Sequence, residues 1–446
     1  MRARANVEQF CVEPIRCHCE LRRGKTPPYS PKTPKIKRRL KLFAVVKRLA
    51  TPTRCRILFL QFANPGQYPP ILHVLDIFAK ADWEALVIGI DQEETKALTV
   101  PMVPNRKVSL VSSAPPGWRQ KVQYLKFVTM AVFYNLYWQP DVIYVSDVFA
   151  TPAGCLVAWL RRVRIIFHEH DFPAPPPGGV TIFRWLMSAR HFVAQHSLLC
   201  VVPNHARAQA FRRECNLALN RVITVWNCPS IHDIREVARS NPVRSELTLY
   251  YHGSLNYYRV PFVLLDALQD LPSNVTLAIH GYEPHGSKGF IAEFLSCTRQ
   301  KGLMNRVSFR GPVAYSNLLN ISNPYSVGLS LMPMASDDHN MQNMAGASNK
   351  AFDYLSMGIP LLVSALPDWE EIFVTPGFAK SCDPRNKASL CNAIRWFLDN
   401  PTEHLRMGLE GKKKIYAEWN YETQFKPVMQ LITAAQKKDN ILDTSD

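Results

Sequence analysis

Apolar residues in this chain come in short continuous runs, each followed by a turn and then by apolar positions three and four apart. Arg56-Ile57-Leu58-Phe59-Leu60 is the first run, Asn64-Pro65-Gly66 the turn, Ile71 to Lys80 the helical stretch and Ala85 to Ile90 the next run. Uninterrupted runs are expected of parallel strands covered by helices on both faces, because neither face meets water. The rhythm continues through the amphipathic segment Val122 to Tyr137 and the runs Asp141 to Val145, Ile165 to Phe167, Leu198 to Val202 and Val222 to Val225. It breaks around Ser230 to Glu246, which reads as a linker. It resumes with Leu247 to Tyr251, Thr276 to His280, Val307 to Phe309, Val327 to Leu331 and Leu361 to Val363. The expectation is an α/β chain of two doubly wound Rossmann-like domains in tandem, facing a central cleft, with ligands at the strand ends of both. The boundaries read as a tail over 1–50, domains over 51–235 and 236–425, and a C-terminal tail over 426–446.

The stretch Ala345 to Ser364 is a loop, a short helix, a glycine stop and a buried strand. Ser348 is placed to cap the helix with its hydroxyl, and Gly358 with Pro360 ends it. A helix N-terminus behind a small-residue loop offers free N–H groups and the positive end of a dipole to an anion. The same pattern also occurs in helix–strand units that bind nothing. The loop after the first strand lacks GxGxxG, so no dinucleotide fingerprint is present.

Charge changes the picture only at the N-terminus. Residues 1–50 hold fourteen Lys and Arg against Glu8, Glu13 and Glu20, so +11 of the net +17 sits there and +6 is spread over the other 396 residues. A mildly basic body does not call for a nucleic-acid partner. Within the tail, Thr26 to Pro34 is proline-rich. Ile36, Leu40, Phe43, Val46 and Leu49 then fall at helical spacing among basic residues. That pattern suits either a helix lying on an anionic membrane surface or a linker helix docked on the body. No run of about eighteen apolar residues is present, and the first fifty residues do not read as a signal peptide. Eleven scattered cysteines suit a reducing compartment. Cys17-His18-Cys19, with Cys11 nearby, lacks a second ligand pair at zinc spacing. The expected location is cytoplasmic, with peripheral contact at the inner face of a membrane.

His168-Glu169-His170-Asp171 lies at the carboxyl end of a strand, where open α/β sheets bind ligands. Strand alternation puts His168 and His170 on one side. A metal or a hydrogen-bonded substrate would both suit these residue types. Pro173 to Pro177 makes a stiff loop beside them.

The order RIIFHEHD, VVPN, YYHGSL, IHGYE, VSFRGPV and SNKAFDYLSMGIPLLVS, over about residues 54–430, resembles the family-4 retaining glycosyltransferases of the GT-B fold, which use nucleotide sugars. The resemblance implies that the second domain holds the donor. Gly253 and Ser254 would bring backbone to its diphosphate, joined by Gly281, Tyr282 and the helix N-terminus at Ser348, Asn349 and Lys350. Arg259 would be the cation facing the leaving diphosphate, and Phe309 to Val313, with Arg310, would line the base pocket. The family's paired glutamates, separated by seven residues, fall on Ala345 and Asp353. Asp353 would take the ribose hydroxyls, whereas Ala345 removes the first glutamate's contact with the donor sugar. This suits the variant form in which an Asn-Lys pair precedes an acidic-Tyr pair. His170 and Asp171 match the family's His-Asp facing the donor sugar, and Asn64, Pro65 and Gly66 would lie beneath the acceptor. The implied activity is transfer from a UDP-, GDP- or dTDP-sugar to a hydroxyl of a glycan or lipid-linked glycan. Configuration would be retained, with neither metal nor further cofactor. A sugar-nucleotide 2-epimerase and a non-catalytic nucleotide-sugar binder share these features and remain alternatives.

Overall fold

A computed structural model describes residues 54–92, 98–173, 180–234, 246–313, 315–319 and 326–443. The basic tail with its amphipathic helix, and the prolines from 174 on, lie outside them. The first half is a seven-stranded sheet of β1 (Arg56–Gln61), β2 (Glu84–Asp91), β3 (Arg106–Ser112), β4 (Val142–Ser146), β5 (Arg164–His168), β6 (Leu199–Val202) and β7 (Val222–Thr224). Its spatial order is β3-β2-β1-β4-β5-β6-β7, and the recorded pairings are all parallel. The second half has β8 (Leu247–Ser254), β9 (Val275–Tyr282), β10 (Val307–Phe309), β11 (Val327–Ser330), β12 (Leu361–Ser364) and β13 (Ala379–Cys382) in the order β10-β9-β8-β11-β12-β13, also parallel. In each sheet the order reverses beside the first strand. The loops after β1 and β4, and after β8 and β11, therefore diverge at a crevice.

The continuous runs became the central strands: β4, β6, β11 and β12 are buried at every position. Two strands had no such run. β3 mixes buried, half-buried and exposed residues, and β13 (AKSC) is short and partly polar. Both are edge strands, held by pairing with one neighbour and without a run buried on both faces. In sequence, the runs Leu247 to Tyr251 and Thr276 to His280 stop before His252-Gly253-Ser254 and Gly281-Tyr282. These residues instead continue β8 and β9, paired Gly253 to Gly281 and Ser254 to Tyr282.

Helices α1 (Pro69–Lys80), α2 (Trp118–Tyr137), α3 (Thr151–Leu160), α4 (Val180–His196) and α5 (His205–Glu214) flank the first sheet. The core on one face joins α2 through α5 to the sheet. On the other face α1 is joined by residues from the far end of the chain, Tyr421, Phe425, Val428 and Ile432. The expected C-terminal tail over 426–446 is thus corrected as far as residue 443. Tyr421–Asp443 is one helix that crosses from the second half to the first, because its apolar stripe completes the core beneath α1. Its start is tied to the end of the first half: Tyr421 N–H donates to Pro229 O at 2.9 Å, and Glu422 accepts from Ile231 N–H at 2.9 Å.

Candidate active site

On the second-half side, two glycines let backbone and a cation come together. Gly253 has φ +110°, a conformation that side chains rarely adopt, and a Cβ there would lie 2.8 Å from Lys350 Cε and 3.2 Å from its Nζ. A Cβ on Gly281 would meet Gly253 O at 2.5 Å. The Lys350 side chain therefore folds back across the end of β8, with its ammonium 5.9 Å from the centre of the Tyr251 ring. Burial, and the nearby Arg259 charge, hold that ammonium well below its ordinary pKa. Arg259 Nη1 donates to Ser254 Oγ at 3.0 Å, while its buried Nε has no hydrogen-bond partner. Two cations thus converge on a glycine backbone at the second topological switch point. Such a constellation attracts an anion, since burial and the Arg259 charge destabilise the Lys350 ammonium until an anion arrives.

Lys350 and Asp353 lie on the helix Asn349–Ser356. Ser348 has the extended backbone of an N-cap, but the expected cap bond is not made. Its own N–H bonds back to Met344 O at 2.9 Å, and its buried hydroxyl has no partner. The first helical N–H groups are therefore left without that side-chain acceptor. Asp353 is 1% exposed. Tyr315 OH donates to its Oδ1 at 3.0 Å, and Oδ2 lies 3.6 Å from His252 Nε2 without a hydrogen bond. Burial pushes its carboxyl up to about 7, against the opposing pull of Tyr315 and Lys350. Burial and the Lys350 charge hold His252 well below its ordinary value. Arg310 and Tyr282 are exposed at the ends of β10 and β9, and the Arg310 backbone N–H extends the ladder to Ile279 O at 2.9 Å. Asn349 is half-buried at the helix start.

On the first-half side, the His168 and His170 rings face each other with centres 3.8 Å apart. His168 Nδ1 bonds Tyr144 OH at 2.6 Å, and His170 Nε2 bonds Ser146 Oγ at 3.0 Å. Burial lowers both, His170 to about 4, so both are neutral imidazoles near neutral pH. Asp171 is exposed and pairs with Arg207 at 3.1 Å. Asn64 is buried and caps its own turn by accepting from Gly66 N–H at 2.9 Å. The turn is pressed against β2 and residue 98: a Cβ on Gly89 would reach the Pro65 ring at 2.6 Å, and one on Gly66 would reach the Leu98 carbonyl. Among the described residues, no group of three or more His, Cys, Asp or Glu side chains is placed to hold a metal.

Five residues without an assigned role in sequence shape the crevice. Asp147, at the end of β4, has φ +63°, accepts His170 N–H at 2.9 Å and is pushed by burial up to about 7. Tyr68 lies 5.4 Å from the His170 ring. Asn204, Arg207 and Asn227 hold the loop that carries Ala345. Asn204 Nδ2 donates to Asn343 O at 2.7 Å and Ala345 O at 3.0 Å, and Asn227 bonds Gly346 and Ala347. Arg207, 2% exposed, donates to His170 O at 2.7 Å and to the Asn340 and Asn343 carbonyls at 3.0 Å. Asn204 was visible only as part of VVPN, and nothing in sequence marks Arg207 among its neighbouring arginines. Ala345 is consequently buried, its carbonyl tied to the first half where the paired-glutamate pattern would place a carboxylate.

Two Rossmann-like sheets with switch points facing one crevice, a cationic glycine cradle on the second and a His-Asp pair on the first, define a protein of the GT-B fold. Residues 263–430 match the family described as "Glycosyl transferase-like". HepE from Anabaena, crystallised in complex with UDP and glucose, superposes with a TM-score of 0.62 at 16% identity, over 85% of this chain and 100% of that one. Sucrose-phosphate synthase from Thermosynechococcus elongatus gives 0.61 at 14% identity, over 88% and 100%. The α,α-trehalose 6-phosphate synthase from Burkholderia multivorans gives 0.60 at 12% identity, over 87% and 98%. No curated protein matches the chain in sequence. The comparisons thus show the GT-B fold for the chain, and a glycosyl transferase-like family over residues 263–430.

Proposed function

We propose that this protein transfers a sugar from a nucleoside diphosphate sugar to an acceptor hydroxyl, with retention of configuration and without a metal. The observation that carries the reading is the convergence of Lys350 and Arg259 on the Gly253 backbone beside the free N–H groups of Asn349–Ser356. A departing diphosphate needs charge stabilisation at that point, and two fixed cations supply what a divalent ion supplies elsewhere. Asp353 would accept the ribose hydroxyls, with Tyr315 sharing its other oxygen. The neutral His170 would hydrogen-bond the sugar. Without an enzyme nucleophile, the leaving phosphate would take the acceptor proton on the same face, and the protein would orient the reactants. UDP-sugars are the first donors to test, followed by GDP- and dTDP-sugars. The acceptor would be a glycan or lipid-linked glycan, reached by a protein held peripherally at the inner face of a membrane. No helix among the described residues is long and apolar enough to cross one.

A thermal-shift screen of UDP-, GDP- and dTDP-sugars, followed by product analysis with and without acceptor, tests this reading. The matching donor should raise Tm by mass action. Turnover of donor without acceptor would favour the 2-epimerase, and tight binding without turnover the non-catalytic binder. Activity abolished by a chelator and restored by manganese would overturn the metal-free reading.

A further inference from the structure

The outer face formed by α2, α3 and α4 is unusual for a helix layer that already buries its inner side. α2 buries Phe127, Ala131 and Asn135, yet Trp118, Leu125, Phe133 and Tyr137 recur on its opposite face and are exposed. α3 packs between α2 and α4. Trp159 on α3 and Trp185 on α4 extend the exposed surface across the layer, with Trp118, Tyr137 and Trp159 each more than 70% exposed. An open groove of about 470 Å³ between β3 and α2, lined by Leu110, Val122, Leu125 and Met130 with Lys126 beside them, continues the apolar surface.

The charges on this layer are of one sign. α2, α3 and α4 contain no Asp or Glu. Arg119, Lys121 and Lys126 on α2, Arg162 just after α3 and Arg184 on α4 are all exposed. On α2, Lys121 and Lys126 fall on either side of the Trp118–Leu125–Phe133 stripe when the helix is viewed down its axis. Tryptophan and tyrosine between an apolar stripe and a cationic border suit the headgroup region of a bilayer. The charge argues against two other occupants. A second copy would bring cations against cations, and residues 1–50 of this chain carry +11 themselves.

We infer that the α2–α3–α4 face is a docking surface for an anionic lipid bilayer, distinct from the basic N-terminal tail. This inference stands apart from the donor chemistry, since vesicle binding requires no turnover. The test is co-sedimentation of the full chain with phosphatidylcholine vesicles, with and without phosphatidylglycerol. Two double variants are compared with wild type, Leu125→Gln with Phe133→Gln and Lys121→Glu with Lys126→Glu. All four residues are exposed, so circular dichroism and Tm should match wild type. Wild type should bind only the anionic vesicles, and less as salt rises. Each variant should lose about tenfold or more in partitioning, the charge variant because each surface cation contributes on the order of a few-fold, and the glutamine variant because two large apolar side chains no longer enter the interface. Undiminished binding by both variants would overturn the inference and leave the tail as the anchor. Absence of wild-type binding would also overturn it, as would a wild-type dimer that Leu125→Gln with Phe133→Gln dissociates.

Discussion

Lys350→Met is the perturbation that bears most directly on the donor site, because binding and stability should move in opposite directions. Methionine keeps most of the chain that crosses Gly253 and removes the charge. In the free protein the ammonium is desolvated and lies near Arg259, which lowers its pKa on folding. A lysine whose pKa falls on folding detracts from stability while charged in both states, and the cost fades as pH rises towards the unfolded value. Removing it should leave Tm at or above wild type at neutral pH. Against a diphosphate the effect reverses. Two unit charges about 4 Å apart at an effective dielectric near 20 attract by about 4 kcal/mol, and phosphate desolvation offsets part of this. A net loss of about 2 kcal/mol corresponds to roughly thirtyfold in Kd. Titration calorimetry with UDP and with the matching donor, alongside melting curves, reads both quantities. A variant that melts lower and binds UDP as wild type does would make Lys350 a structural residue and refute the site.

Other perturbations follow from the same geometry. Gly253→Ala should weaken UDP binding to a similar extent and lower Tm, because φ +110° costs about 1–2 kcal/mol for a side chain and its Cβ displaces Lys350; equal affinity would show that the cradle is not used. Asp353 is raised on folding to about 7, so its contribution is fully present below about pH 4 and is lost as pH rises through about 7. Melting curves across that range should show a shallower decline for Asp353→Asn. The decline should persist in part, because Asp147 is also pushed to about 7. Arg207→Ala should cost about 2–4 kcal/mol by stranding the carbonyls it serves, and should speed amide exchange in residues 339–347; unchanged exchange there would separate Arg207 from the loop.

Much of the architecture was legible because central parallel strands must be apolar along their whole length, and that run survives in one dimension. The two sheets, their chain order and the helix–strand unit from Asn349 to Ser364 could be read in this way, and the motifs then pointed to the GT-B fold. What depends on contact between distant segments could not. The edge strands β3 and β13 exist by pairing, and the helix Tyr421–Asp443 is defined by the first-half core it completes. The roles of Arg207, Asn204 and Asn227 come from carbonyls more than a hundred residues away. Ser348 had the residue type of a cap, and the turn from Met344 drew its hydroxyl into a buried position without a partner. Sequence determined which side chains were available to a phosphate. Only tertiary structure decided that Gly253 would leave room for Lys350, that Ala345 would be tied down by its carbonyl, and that Asp353 would be buried far enough to hold its proton up to about pH 7. Each of those outcomes is set by what closes over the residue, and no local pattern carries that information.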